Sequence, residues 1–297
     1  MRNKVIHLLR FIQTRILPSE LYSKVIFYKL MGYRLNLKNP RSLNEKLQWM
    51  KLRGPKFIDS SFVDKIAVRD YISSKVGAEY LVPLIGTWEN VDDFNLPQEK
   101  LLPYIVKPNH DSGVGYIFRN GNEFSIDEVK SGLNKRLRIN HYHRTKEYPY
   151  KKVVPRILCE TLLCDAEGRI PDDIKFHCFG GNLEFIYVSV DREGIDSRHI
   201  YSRNWTRLSF SWNKDPSKFC RGDDDIPKPE MLNKMISIAE SLAAGFPYVR
   251  VDLYNLDTKI YVGELTFFQG SGFDPIRPVK KDFELGKKLN LALLESK

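Results

Sequence analysis

The stretch VRVDLYNLDTKIYVGELTF, Val249 to Phe267, places Arg250 and Asp252 before a turn and a further carboxylate, Glu264, after it. If VRVDLY and KIYVGELTF are the arms of a hairpin joined by Asn255–Lys259, the simplest register pairs Tyr254 with Ile260, Asp252 with Val262 and Arg250 with Glu264. Alternate residues of a strand share a face, so Arg250, Asp252, Val262, Glu264 and Thr266 would lie together while Val249, Val251 and Leu253 point into a core. Asp252 and Glu264 would then be diagonal neighbours, about 7–8 Å apart at the backbone, and could reach one site. Hard oxygen ligands at that spacing suit Mg²⁺, which takes one or two carboxylates together with phosphate oxygens and waters. An Arg250–Glu264 ion pair on a solvated face is the competing explanation of the same pattern.

A second stretch, YIVKPNHDSGVGYIF (Tyr104–Phe118), places Lys107 at the end of a short apolar run and two glycines, Gly113 and Gly115, in the loop behind it. A lysine at a strand end can meet a phosphate as a point charge. Glycines in the next loop let backbone N–H groups approach anionic oxygens. The GxxxxGK[ST] pattern is absent, so this is not a Walker A loop. A plain hairpin with a surface lysine also fits the stretch by itself.

The rest of the chain limits the partners such groups could have. The 297 residues carry 47 Lys and Arg against 37 Asp and Glu, a net charge of +10 that favours polyanions: phosphates, nucleic acid, acidic polysaccharide or an anionic membrane. No zinc-finger spacing, RNP motif or arginine-rich tract is present, which argues against nucleic acid. No run of 18 apolar residues suggests a membrane span, and no secretory signal is recognisable. The four cysteines, Cys159, Cys164, Cys178 and Cys220, form no CxxC pair and fit a reducing cytosol. We therefore expect a cytoplasmic protein, with peripheral contact at the inner membrane face through residues 1–35. There Val5, Leu8, Leu9, Ile12 and Ile16 recur at helical spacing among basic residues.

The elements that position these groups follow from local signals. Pro18 ends the first helix and Ser19 can cap a second. Ser42 with Glu45 reads as a capping box for a helix over Leu43–Leu52. A further helix is expected from Ser61 to Val76, stopped by Gly77, and another from Ser125 to Arg138. Strands are expected at Tyr104–Lys107, Tyr116–Phe118, Arg156–Leu163, Ile174–Phe179 and Glu184–Asp191, with a Gly180–Asn182 turn joining the last two. A basic, aromatic loop spans Arg138–Lys152, and a long loop carrying Trp205 and Trp212 follows Asp191. The helix PEMLNKMISIAESLAAGFP and a terminal helix complete an α+β pattern. His141 and His143 sit in the first of these loops, where solvent is their expected environment.

Taken in order, these pieces resemble the ATP-grasp superfamily. Asp64-Lys65, IVKPNHDSGVG, ILCETLL with Glu160, DDIKFHCFGG with Lys175, the RVD strand and GELTFFQGSGF follow its sequence of parts. More closely, NPRSLNEKLQWMKL, IVKPNHDSG, DDIKFHCFGG, GFPYVRVDLYN and YVGELTFFQGSGF look like its TupA-like branch, from about Asn39 to Phe273. That branch is named for teichuronopeptide biosynthesis, and its members occur with capsule and surface-polysaccharide genes.

The resemblance implies two α+β lobes clamping a nucleotide behind a helical N-terminal region: residues 1–60 helical, 61–155 a first lobe with Lys107, and 156–297 a second lobe with the hinge strand and metal hairpin. It implies ATP and Mg²⁺. Lys65, Lys107 and Lys175 would contact phosphates. The flap Asn109–Gly115, with His110, Ser112 and Gly113, would fold over them. Glu160, Thr161, Leu162 and Leu163 would serve the base and ribose. Asp252 and Glu264, with Thr266 as a weaker oxygen donor, would hold metal, and Arg250 with Lys175 would support the transition state. Many ATP-grasp enzymes carry asparagine where Thr266 stands, which leaves a second Mg²⁺ less secure; threonine there is common in the TupA-like branch.

The implied reaction is amide formation between a carboxylate, such as an acidic sugar or polysaccharide precursor, and an amine or amino acid. It would proceed through an acyl phosphate with release of ADP. Arg192, Arg198, His199 and Ser271 are candidates for substrate contact. The alternatives are a glycosyltransferase-type enzyme using a sugar nucleotide, and a non-catalytic nucleotide-binding module of a polysaccharide-assembly complex.

Overall fold

The structure, a computed structural model, describes residues 17–53, 58–111, 115–190, 197–214 and 225–294. The helix expected around Val5–Ile16 and the flap residues Ser112 and Gly113 lie outside them, as does Arg192.

Two antiparallel sheets carry the site. The smaller is built from β1 (Leu84–Trp88), β2 (Tyr104–Pro108), β3 (Tyr116–Phe118) and β4 (Ile157–Thr161) in the order β1-β4-β2-β3. The helix expected at Ser125–Arg138 is α4 (Ile126–Leu137); Ser125 accepts from the Glu128 amide and Glu128 reaches back, a full capping box. Its Val129 and Leu133 close a core with Phe94, Tyr104, Val106, Phe118, Ile157 and Cys159. Alternation along β2 and β4 then turns Lys107 and Glu160 to the opposite face. β4, the strand we had grouped with the later lobe, is thus paired inside the sheet of the earlier residues.

The larger sheet has the order β10-β9-β5-β6-β7, from β5 (Asp173–Phe179), β6 (Asn182–Val190), β7 (Ser197–Tyr201), β9 (Tyr248–Leu256) and β10 (Lys259–Thr266). One face, with Ile174, Phe176, Val188, Val251, Leu253 and Val262, packs on Met235, Ile236, Ala239 and Leu242 of α6 (Leu232–Ala243). β7 lies in what we expected to be a long loop, where Ser197–Tyr201 pairs with Ile186–Val190. Short β8 (Ser211–Trp212) pairs with β11 (Ile276–Arg277) and buries Trp212.

The hairpin register differs from the simple one. Leu253 faces Val262, Asp252 faces Glu264 and Arg250 faces Thr266, with a bulge between Val262 and Glu264. The extra residue is Gly263; a Cβ there would come within 2.8 Å of the Tyr254 ring. The bulge moves Val262 to the core face and sets Glu264 directly opposite Asp252, a closer approach than the diagonal we expected.

Helices frame the sheets. α1 (Ser19–Met31) has Pro18, not Ser19, at its cap position. α2 (Leu43–Arg53) opens on the Ser42–Glu45 capping box as expected. The expected helix from Ser61 becomes a 3₁₀ turn at Ser60–Phe62 and α3 (Val68–Val76), because the Asp64 carboxylate takes the Ile66 amide and turns the chain first. The expected Arg138–Lys152 loop is folded as α5 (His141–Thr145) and a 3₁₀ turn at Tyr148–Lys152. α7 (Val279–Lys288) packs on α2, whose Lys46 donates to the Gly286 and Leu289 carbonyls at 2.6 Å.

Candidate active site

The hairpin presents a carboxylate pair already engaged by a cation. Arg250 donates through Nε and Nη2 to both oxygens of Asp252, each at 2.6 Å, and through Nη2 to Glu264 Oε1 at 2.7 Å. Its Nη1 reaches Gln269 Oε1. Arg250 is 8% and Asp252 3% exposed, so these charges are almost wholly desolvated and depend on one another. Thr266 Oγ1 donates to Glu264 Oε1 at 2.9 Å and so orients that carboxylate. Lys175, across from Asp252 on β5, pairs with Asp173 and lies 3.7 Å from Asp252.

Burial pushes Asp252 up to about 6, helped by the nearby Asp173 and Glu264 carboxylates and opposed by Arg250 and Lys175. For Glu264 the balance reverses: burial is outweighed by Arg250, Lys65, the Thr266 hydroxyl and Lys175, which bring it to about 2. The two carboxylates share one arginine but not one environment.

The smaller sheet supplies the facing groups. Lys107 pairs with Glu160 Oε2 at 2.5 Å, and Arg69 holds the other Glu160 oxygen at 3.3 Å. Lys65 is fixed by its amide on the Asn109 carbonyl at 3.2 Å and by its Nζ on the Asp111 carbonyl at 2.6 Å. Burial lowers the Lys65 pKa, as does neighbouring Lys107, while Glu264, Glu160 and Asp111 raise it. Lys65 therefore senses Glu160 of the smaller sheet and Glu264 of the larger one at the same time.

Other expected residues are placed less directly. His110 is buried, with Nε2 3.0 Å from the Ile139 carbonyl and Nδ1 3.3 Å from Asn109 Oδ1, so both ring nitrogens engage the chain. The Thr161 amide donates to Pro83 and the Leu162 amide to Pro103, both at 3.0 Å. Leu163 follows at the end of this stretch. Arg198 lies across β6 from Ser189 on the face that carries Asp173 and Lys175, with Nη1 3.2 Å from the Tyr187 hydroxyl. His199 falls on the opposite face, beside Val188, and contacts Ser197 at 2.9 Å. Ser271 stands in the turn after β10, its carbonyl and side chain engaged by other parts of the chain. His141 is not solvated as we expected: it is buried against Tyr150, with Nδ1 4.0 Å from Asp111.

Asp173, Gln269 and Arg69 were missed. Strand alternation through Asp173-Ile174-Lys175 already puts Asp173 beside Lys175 and could have found it; Gln269 and Arg69 meet the site only through the tertiary fold.

Among the described residues no group of three or more His, Cys, Asp or Glu side chains is arranged to hold a metal. Two opposed carboxylates, with other positions left to phosphate oxygens and water, is nevertheless a donor set that Mg²⁺ commonly accepts, so the residues fit such an ion.

Lys107 on one sheet and a carboxylate–arginine hairpin beside Lys175 on another, each sheet backed by its own core, is the construction of an ATP-grasp protein. The family described as TupA-like ATPgrasp matches residues 45–290. The chain belongs to that family. Among solved structures it is similar to a D-alanine–D-alanine ligase from Bacillus anthracis complexed with ATP, with 16% identity, 79% of this chain and 64% of that chain covered, and a TM-score of 0.42. It is also similar to the ATP-grasp ligase PsnB complexed with a phosphomimetic variant of its minimal precursor, Mg and ADP (11% identity, 79% and 60% covered, TM-score 0.41). A third is an L-amino acid ligase from Bacillus licheniformis (12% identity, 86% and 55% covered, TM-score 0.39). The chain spans less than two thirds of the length of each of these three. No curated protein matches it.

Proposed function

We propose that this chain is an ATP-dependent carboxylate–amine ligase. The observation that carries the reading is the β9–β10 hairpin, where Asp252 faces Glu264 and Lys175 of β5 lies 3.7 Å from Asp252. Triphosphate bound there would meet lysines from one side and the Asp252–Glu264 pair from the other.

In this reading Lys65, Lys107 and Lys175 neutralise phosphate oxygens, and the flap Asn109–Gly115 covers them. The Thr161 and Leu162 amides are used by the chain, so the base is expected to meet the end of the stretch at Leu163. Asp252 and Glu264 would hold Mg²⁺, which when bound neutralises triphosphate charge. Arg250 must then release at least part of its hold on the carboxylates, and its guanidinium becomes available to the transferring phosphoryl group. A substrate carboxylate oxygen attacks the γ-phosphorus, the bond to the ADP oxygen breaks, and an acyl phosphate forms. An amine then attacks the acyl carbon, phosphate leaves, and the amine loses a proton. No nucleophilic side chain is needed.

The +10 charge supports an acidic carboxylate donor, and a sugar or polysaccharide precursor joined to an amine or amino acid is the pairing we propose. Arg198, on the site face of the larger sheet, is the placed residue best situated to meet it. No helix among the described residues is long and apolar enough to cross a membrane; cytoplasmic work with peripheral contact through residues 1–35 belongs to the same proposal.

Thermal unfolding with and without Mg·ATP tests it, for the wild type, Lys107→Ala and Glu264→Gln. Ligand at a hundred times its Kd adds about 2.7 kcal/mol of stability. The wild type is expected to shift upward by several degrees and both variants to lose the shift, after which acid–amine pairs are screened for ADP release. A shift with a UDP-sugar and none with ATP would overturn the reading.

A further inference from the structure

The turn after the metal hairpin has an unusual backbone and an unusual support. Gly270, Ser271 and Gly272 have successive φ values of +52°, +59° and +68°, three left-handed residues in a row. The residue before them, Gln269, accepts from Arg250. Two backbone bonds hold it from within, the Ser271 amide to the Phe268 carbonyl at 2.8 Å and the Phe273 amide to the Gly270 carbonyl at 3.0 Å. α2 reaches across: Gln48 Nε2 donates to the Ser271 carbonyl at 3.0 Å and the Gly272 carbonyl at 2.7 Å, and Lys51 Nζ donates to the Ser271 carbonyl at 2.8 Å. Lys51 is 1% exposed and sits 4.0 Å over the Phe273 ring. The fit is close: a Cβ on Gly272 would lie 2.7 Å from Gln48 Nε2.

A buried lysine is costly to keep unless it is bonded. Here Gln48 and Lys51 converge on one turn, and that turn carries the group that steers Arg250. We infer that Gln48 and Lys51 are positioning residues for the nucleotide site: they hold the 269–272 turn so that Gln269 fixes the Arg250 guanidinium. This rests on the proposed ATP site. It gives a role to α2, which contributes no group to that site itself.

Because Lys51 acts through Gln269 on the phosphate end, its loss separates two ligands. Kd is measured for Mg·ATP and for AMP, which carries the base without the terminal phosphates, in the full chain. Lys51→Met is expected to weaken Mg·ATP tenfold or more and AMP less than twofold, and Lys51→Arg to recover most of the loss. Gln269→Ala should mimic Lys51→Met, and combining the two should add less than a further twofold. If Lys51→Met fails to fold, Gln48→Ala removes two donors to the same turn and is read identically. Equal weakening of Mg·ATP and AMP, or a second tenfold loss on top of Gln269→Ala, would show that Lys51 only stabilises the fold. A wild type that binds neither nucleotide would instead sink the ATP reading on which the inference stands.

Discussion

At the scale of single residues, charge is matched so closely that removing one partner exposes the others. Arg250 is the main counter-charge to both Asp252 and Glu264, so Arg250→Met leaves the buried Asp252 carboxylate facing the partly exposed Glu264. Breaking a buried ion pair in this way costs about 3–5 kcal/mol. Urea unfolding at neutral pH should show that loss in EDTA, with Mg²⁺ recovering part of it in the variant and changing the wild type little. An equal loss with and without Mg²⁺ would mean that these carboxylates take no cation. His141 gives a pH signature. Burial pushes its pKa down to about 4, with Asp111 opposing and Arg144, Lys65 and His110 assisting. A base whose folded pKa is depressed supports the fold while neutral. Its contribution is complete above the unfolded value near 6.5 and is lost as pH falls towards 4, amounting to about 3 kcal/mol. Unfolding free energies measured between pH 7 and 4 should decline less steeply for His141→Gln than for the wild type; parallel curves would remove His141 as a cause.

At the scale of elements, one glycine decides which face of β10 meets the ligand. Because the side-chain period of a strand is two, a one-residue change of register exchanges the two faces. Deleting Gly263 removes the bulge and should turn Glu264 away from Asp252 or strip Val262 from the core. Mg·ATP binding is expected to vanish in the deletion, while circular dichroism retains the sheet signal; retained binding would show that the bulge does not set the site. This bulge also marks where the sequence stopped being legible. The α+β class, the capping box at Ser42, the helix after Ser125, and the strands carrying Lys107, Glu160, Lys175 and Asp252 all follow from local chemistry. That Arg250, Asp252, Glu264 and Thr266 share a face was legible too. Their register was not, since a bulge leaves the alternation of polar and apolar residues readable in two ways. β7 was hidden behind a loop-like composition, and the 269–272 support was hidden because Gln48 and Lys51 look like ordinary solvent-facing groups until the tertiary fold buries them.

At the scale of the whole molecule, the proposed site draws on two sheets with separate cores. A ligand that touches both should quieten both. Hydrogen exchange with Mg·ATP is expected to show added protection in β2 and β4 together with β9 and β10, and protection confined to one sheet would contradict a clamp. The turn at 269–272 has a consequence for how the chain is made. Its supports come from residue 48 and residue 51, and the carbonyls they hold belong to residues 271 and 272. Contacts so distant in sequence form only after long loops close, which places them late in folding. During synthesis Gln48 and Lys51 must wait, hydrated and outside any finished interior, until residue 271 has left the ribosome. In the proposed reading the nucleotide site is complete only from that point.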